Sequence, residues 1–141
     1  MNSHIEIYIH FVWATWNREP LILPEWERSL WSAIRNEVVA QECRLLALGG
    51  TEDHVHLLAH LRSTVSVADF VQRVKGSSSL WVNEQITPAT HFKWQGSYGA
   101  FSVSREDVPQ IISYIKSQER HHADGTTLIG YEKTHQPAPR H

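Results

Sequence analysis

A chain of 141 residues has the size of one compact domain and can bury roughly two-thirds of its unfolded surface; with 41% hydrophobic and 20% charged residues it is not a disordered chain. The lone Cys43 excludes an internal disulfide and any zinc site built on paired cysteines, and no apolar run approaches the roughly 18 residues of a bilayer span, so a cytoplasmic protein without membrane contact is expected. The net charge of −2 argues against sequence-blind binding to duplex DNA, whereas ten histidines and six tryptophans offer metal ligands and flat surfaces for bases.

From His4 to Trp13, Ile5, Ile7, Ile9, Phe11 and Trp13 alternate with Glu6, Tyr8, His10 and Val12, the period of a half-buried strand. Pro24 then opens a helix whose apolar face is Trp26, Leu30, Ile34 and Val38, ending near Glu42. Cys43 to Leu48 reads as a second strand and Asp53 to Leu61 as a third, with Gly49-Gly50 as the hairpin turn between them. Ser66 and Asp69 form a capping-box pattern ahead of Val67, Phe70, Val71 and Val74; Gly76 interrupts this helix before it resumes through Leu80, Trp81 and Val82.

A polar loop around Thr87 to His91 leads into a fourth strand within Phe92 to Ser104, clearest from Tyr98 to Val103, and Ser104 and Asp107 cap a third helix. The order strand, helix, strand, strand, helix, strand, helix is that of an α+β, ferredoxin-like (RRM-like) antiparallel sheet with one additional C-terminal helix. One domain over 1–123 and a loose tail over 124–141, with Gly125, Gly130, Pro137 and Pro139, complete the expected organisation.

On the third strand His54 and His56 project from one face, Val55 and Leu57 from the other. Their Cα atoms are about 6.6 Å apart, a gap two imidazoles can close onto one ion at roughly 2.1 Å. His60 lies about 13 Å from His56, out of reach of the same ion. The spacing alone fits two half-exposed polar residues on a sheet equally well, and a histidine-triad hydrolase is disfavoured because position 58 is Leu58.

On the third helix Val108, Ile111, Ile112 and Ile115 form the buried stripe, and Tyr114 and Gln118 fall together on an edge expected to be exposed, which His121 continues. Alone, Tyr114 reads more readily as a rim tyrosine anchoring the helix. Together, two histidines and an amide oxygen around a metal ion, beside a tyrosine hydroxyl, supply what phosphodiester transfer needs. Such an uncharged ligand set suits Mg²⁺ or Mn²⁺, the latter tolerating imidazole better.

The chain resembles the single-tyrosine HUH transposases of the insertion-sequence-200-like family, in which two histidines flank a bulky apolar residue. The likeness spans roughly Ile9 to His122 and rests on the His10-Phe11-Val12-Trp13 strand, Asp53-His54-Val55-His56-Leu57-Leu58, and Val71-Gln72-Arg73-Val74-Lys75-Gly76. It rests also on the run from Phe92-Lys93-Trp94-Gln95-Gly96 to Ser104, and on Tyr114-Ile115-Lys116-Ser117-Gln118-Glu119-Arg120-His121-His122.

The resemblance implies that Tyr114 is the nucleophile, forming a 5′-phosphotyrosine and a free 3′-hydroxyl, and that His54, His56 and Gln118 hold the divalent ion. It implies a homodimer in which the metal pair of one subunit works with the tyrosine helix of the other, acting on single-stranded DNA with a hairpin near each element end. Arg73, Lys75, Lys93 and Trp94 are candidate phosphate and base contacts, with solvated cations and a core indole as the competing reading. Two alternatives stand beside the transposase: a nonenzymatic single-stranded nucleic-acid-binding module using Tyr8 and His10 as sheet-borne rings, and a domesticated relative that processes hairpins or nicks to start replication.

Overall fold

The computed structural model describes residues 3–118. Strand β1 (Tyr8–Ala14) lies at the centre of a four-stranded sheet, with β2 (Arg44–Gly50), β3 (His54–His60) and β4 (Gly99–Val103) in the order β2-β3-β1-β4. All neighbours are antiparallel, and the register places Val12 opposite His56 on one side and opposite Gly99 on the other. This is the expected α+β split pattern.

Helices α1 (Glu27–Ala40) and α2 (Val67–Trp81) cover one face of the sheet. Leu30, Ile34 and Val38 of α1 and Phe70, Val71 and Val74 of α2 bury themselves against Phe11, Trp13, Val55 and Leu57. Each such side chain contributes roughly 1.5–3 kcal/mol when fully buried. The expected cap on α2 is present, the Asp69 amide donating to Ser66 Oγ at 3.0 Å. Helix α3 (Val108–Lys116) covers part of the other face, packing Ile111, Tyr114 and Ile115 on Ala47 and Leu58. His10 and Val12 are therefore as buried as Phe11, and the alternation of β1 separates two interiors rather than an interior and a surface.

Several boundaries differ from the sequence reading, each for a physical reason. The ladder of β1 begins at Tyr8 because its partners end at His60 and Val103, leaving Ile5 and Ile7 exposed. Gly49 and Gly50 end β2 instead of turning, and the turn falls on Thr51 to Asp53, closed by the Thr51 amide donating to the His54 carbonyl at 3.0 Å. Gly50 is still required there, since a Cβ would stand 2.1 Å from that carbonyl. Gly76 does not interrupt α2: a Cβ at this position would meet nothing within 4 Å, and the helix runs through it and on into a π-helical turn, Val82–Ile86. Neither Ser104 nor Asp107 caps α3 with its side chain; a 3-10 turn, Arg105–Asp107, leads in.

The segment preceding β4 is held from three sides. The Asn83 amide donates to the Phe92 carbonyl at 2.9 Å and accepts from the Phe92 amide at 2.8 Å. Trp94 forms an isolated β-bridge with Thr15. The Lys75 ammonium donates to the carbonyls of Gln95 and Ser97. No helix among the described residues is long and apolar enough to cross a membrane.

Candidate functional site

His54 and His56 leave β3 on the α3 side, as their spacing predicts, with ring centroids 5.0 Å apart and both Nε2 atoms buried. The two rings have different partners. His54 Nδ1 lies 2.8 Å from Asp53 Oδ1 and 2.9 Å from Thr51 Oγ1. His56 Nδ1 lies 3.0 Å from His10 Nε2. In both rings the Nδ1 atom is engaged, which directs the Nε2 lone pair to the site when Nδ1 carries the proton.

Asp53 is suited to hold His54 in that form. Burial alone would push its carboxyl up, but the hydrogen bond from His54, the Arg18 guanidinium 3.5 Å away and the Thr51 hydroxyl outweigh it, holding the pKa at about 2. At neutral pH Asp53 is a carboxylate that only accepts, so His54 Nδ1 is the donor of that pair.

Tyr114 stands directly over this pair, its ring perpendicular to that of His56 with centroids 5.5 Å apart. The expectation of an exposed edge is corrected: Tyr114 is 4% exposed and Gln118, one turn further along, is fully buried. The reason is that α3 packs on Ala47 and Leu58 with Tyr114 included in the contact, so the edge next to its isoleucine stripe meets His56 rather than solvent. The close seating depends on Gly49, whose absent Cβ would fall 2.8 Å from the Ile115 carbonyl. His121 lies outside the described residues, as does the tail from Asp124.

The donor chemistry fits a divalent ion. Among the described residues no group of three or more His, Cys, Asp or Glu is arranged to hold a metal, so among these residues an ion at His54 and His56 would take any further side-chain donor from an amide or a hydroxyl. Gln118 provides an amide on the face that already carries Tyr114.

The four residues read as DNA contacts are not alike. Lys75, Lys93 and Trp94 line one open groove of about 730 Å³ with Gly76, Ser79 and Leu80. Arg73 is exposed on the outer surface of α2. The Trp94 indole is core: it is 6% exposed, donates to Ser78 Oγ at 3.0 Å, and packs edge to face on Trp13 and Phe92. Its face is not available to stack on a base. The exposed indole nearby is Trp16, with the Lys93 ammonium 4.0 Å from its ring centroid. His10 is fully buried too, so it cannot serve as a surface stacking ring.

Sequence reasoning missed Thr51, Trp16, Arg18 and the role of His10. Arg18 acts through Asp53, which adjoins the His-x-His block and is the one visible hint, and Thr51 contacts both Asp53 and His54. The contact of His10 with His56 depends on strand register, because the two are diagonal neighbours across β1 and β3.

Residues 3–118 match the family model described as "Transposase IS200 like". The ISDra2 transposase TnpA of Deinococcus radiodurans is 25% identical over 118 residues, covering 80% of this chain and 84% of that protein. The transposase for insertion sequence element IS200 of Salmonella typhimurium is 30% identical over 115 residues, covering 77% of this chain and 74% of that protein. A solved Deinococcus radiodurans protein assigned as a transposase superposes with a TM-score of 0.65 at 26% identity, over 84% of this chain and 95% of that one. A REP-associated tyrosine transposase bound to a REP hairpin shares the fold at 15% identity, with a TM-score of 0.64 over 90% of this chain and 74% of that one. With the matched segment carrying both histidines, Tyr114 and Gln118, the chain belongs to the IS200-like transposase family.

Proposed function

We propose that this transposase cleaves and rejoins single-stranded DNA through a covalent bond to Tyr114, at a site where His54, His56 and Gln118 hold Mg²⁺ or Mn²⁺. The observation that carries the reading is the seating of Tyr114 against His56, with ring centroids 5.5 Å apart, on the only tyrosine of α3. When bound, the ion supplies Lewis acidity at the scissile phosphate and charge stabilisation for the phenolate.

The chain's own residues do the rest. Asp53 and Thr51 orient His54. A tyrosine hydroxyl is a weak acid and a poor nucleophile while protonated, so Tyr114 has to lose its proton as it attacks. Attack on phosphorus forms the tyrosine–phosphate bond as the bond to the 3′ oxygen breaks, and that oxygen leaves with a proton as a free 3′-hydroxyl. Rejoining is the reverse step, with a 3′-hydroxyl as nucleophile and Tyr114 as leaving group.

Because the Tyr114 hydroxyl is buried, DNA enters with α3 shifted from its seat. The proposed homodimer uses the same motion: a site shared between subunits requires α3 of one chain to rest on the sheet of the other. The groove beside Lys75 and Lys93, with Trp16 at its rim and Arg73 on α2, is the proposed path of the strand, Trp16 taking the stacking role that buried Trp94 cannot. A hairpin is the proposed structured element, supported by the REP hairpin held by the transposase of like fold. Pure binding without chemistry is disfavoured because it leaves the buried His54, His56 and Tyr114 without a role.

The test is incubation with 5′- and 3′-labelled single strands from the flanks of the gene, with Mn²⁺, followed by denaturing gels. A covalent adduct carrying the DNA 3′ to the cut is expected, absent in Tyr114→Phe and His56→Ala and with EDTA. An adduct that persists in Tyr114→Phe overturns the nucleophile, and one that persists in EDTA overturns the metal.

A further inference from the structure

We infer that His10 is a positioning residue for the metal centre, acting by fixing the tautomer of His56; this rests on the reading of His56 as a ligand. The two imidazoles meet at His10 Nε2 and His56 Nδ1, 3.0 Å apart, with ring centroids 5.2 Å apart and interplanar angle 31°. Both rings are fully buried. One proton sits between the two nitrogens.

Its position decides what His56 can do. If it belongs to His10 Nε2, the neutral His56 carries its own proton on Nε2 and has no lone pair there for a metal. If it belongs to His56 Nδ1, His10 accepts through Nε2 and the lone pair of His56 Nε2 is free to ligate. Only the second arrangement is competent, and it requires His10 to present a bare Nε2.

His10 therefore does for His56 what Asp53 does for His54, with one difference of kind. Asp53 is ionised and can only accept, so it enforces the correct tautomer by itself. His10 is an imidazole, able to accept or donate, and enforces the tautomer only through its own. It pairs with Leu58 and Phe101 in the register, at a fully buried position where a hydrophobic ring would pack without the cost of desolvating an imidazole. A hydrogen bond to a ligand offsets that cost and gives the polar ring a task.

Two measurements on the full chain test this. Long-range ¹H–¹⁵N NMR of the metal-free protein is expected to show His56 protonated on Nδ1 and bare on Nε2 in the wild type, and a shift toward Nε2 protonation in His10→Phe. Mn²⁺ titration followed by electron paramagnetic resonance is expected to show affinity weakened about 10- to 100-fold in His10→Phe, the usual range for losing a partner of a ligating histidine. His10→Gln, whose amide oxygen can accept from His56 Nδ1, is expected to recover most of that affinity. A wild-type His56 protonated on Nε2, or unchanged Mn²⁺ affinity in His10→Phe, overturns the inference. Failure of the wild type to bind Mn²⁺ overturns the metal reading itself, and this inference with it.

Discussion

The two faces of the central sheet are built on opposite terms. Against α1 and α2 lie Phe11, Trp13, Val55, Leu57 and Ala59, an apolar interior with aromatic rings in tilted and edge contact. One residue away along the same strands, under and beside α3, lie His10, His54 and His56, just as buried but polar. The first face gains free energy from being dry. The second spends some of it to keep imidazoles in a low-dielectric place, where a hydrogen bond or a bound ion has more effect than in water. One strand serving both faces lets the stable interior set the geometry of the reactive one.

The largest effect expected from breaking this division is on the dry face. Trp13→Ala should cost about 3–5 kcal/mol of folding stability, measured by urea unfolding, because Trp13 is fully buried and braces Trp94. A loss below about 1 kcal/mol would mean that this face is not the stabilising one. On the wet face Asp53→Asn should weaken Mn²⁺ about 10- to 100-fold, since the amide keeps the shape but can present an N–H to His54, while stability at neutral pH falls by a smaller factor as the carboxylate's contacts with Arg18 and His54 are lost. An equal drop in stability and affinity would show that Asp53 is structural.

The smallest effect is at the seam between α3 and the sheet. Gly49→Ala should cost about 1–3 kcal/mol, because the atom a Cβ would meet at 2.8 Å is the backbone carbonyl of Ile115, so that α3 itself has to shift. Adduct formation should slow more than stability suggests, by about tenfold, since a displacement of 1 Å at a reacting group can cost 10²-fold. Wild-type kinetics in this variant would separate the seating of α3 from the chemistry.

The dry face was legible in the sequence because its signals are local. Leu30, Ile34 and Val38 recur at helical spacing, Phe11 and Trp13 at strand spacing, and Ser66 announces its cap, and each keeps its meaning in the structure. The wet face was legible only in part. His54, His56 and Tyr114 are visible as types at suggestive spacings, but which groups hold them depends on register and docking that no local pattern records. His10 meets His56 across 46 positions of chain. Tyr114 reads as exposed because helical periodicity locates a stripe and says nothing of how far the contact with the sheet spreads beyond it. Trp94 reads as a candidate base contact because aromatic rings stack on unpaired bases, with a core indole as the competing reading; Ser78, sixteen residues away, makes it interior.

The triple hold on residues 92–97 has a thermodynamic consequence for the groove they wall. Asn83 clasps Phe92 as a neighbouring strand would, Thr15 bridges Trp94, and Lys75 spans Gln95 and Ser97. A wall fixed before its guest arrives surrenders little conformational freedom on binding, where each mobile side chain ordered at an interface costs about 0.5–1.5 kcal/mol. The entropy lost there falls almost wholly on the incoming chain, so affinity at this wall is set by how stiff the guest already is.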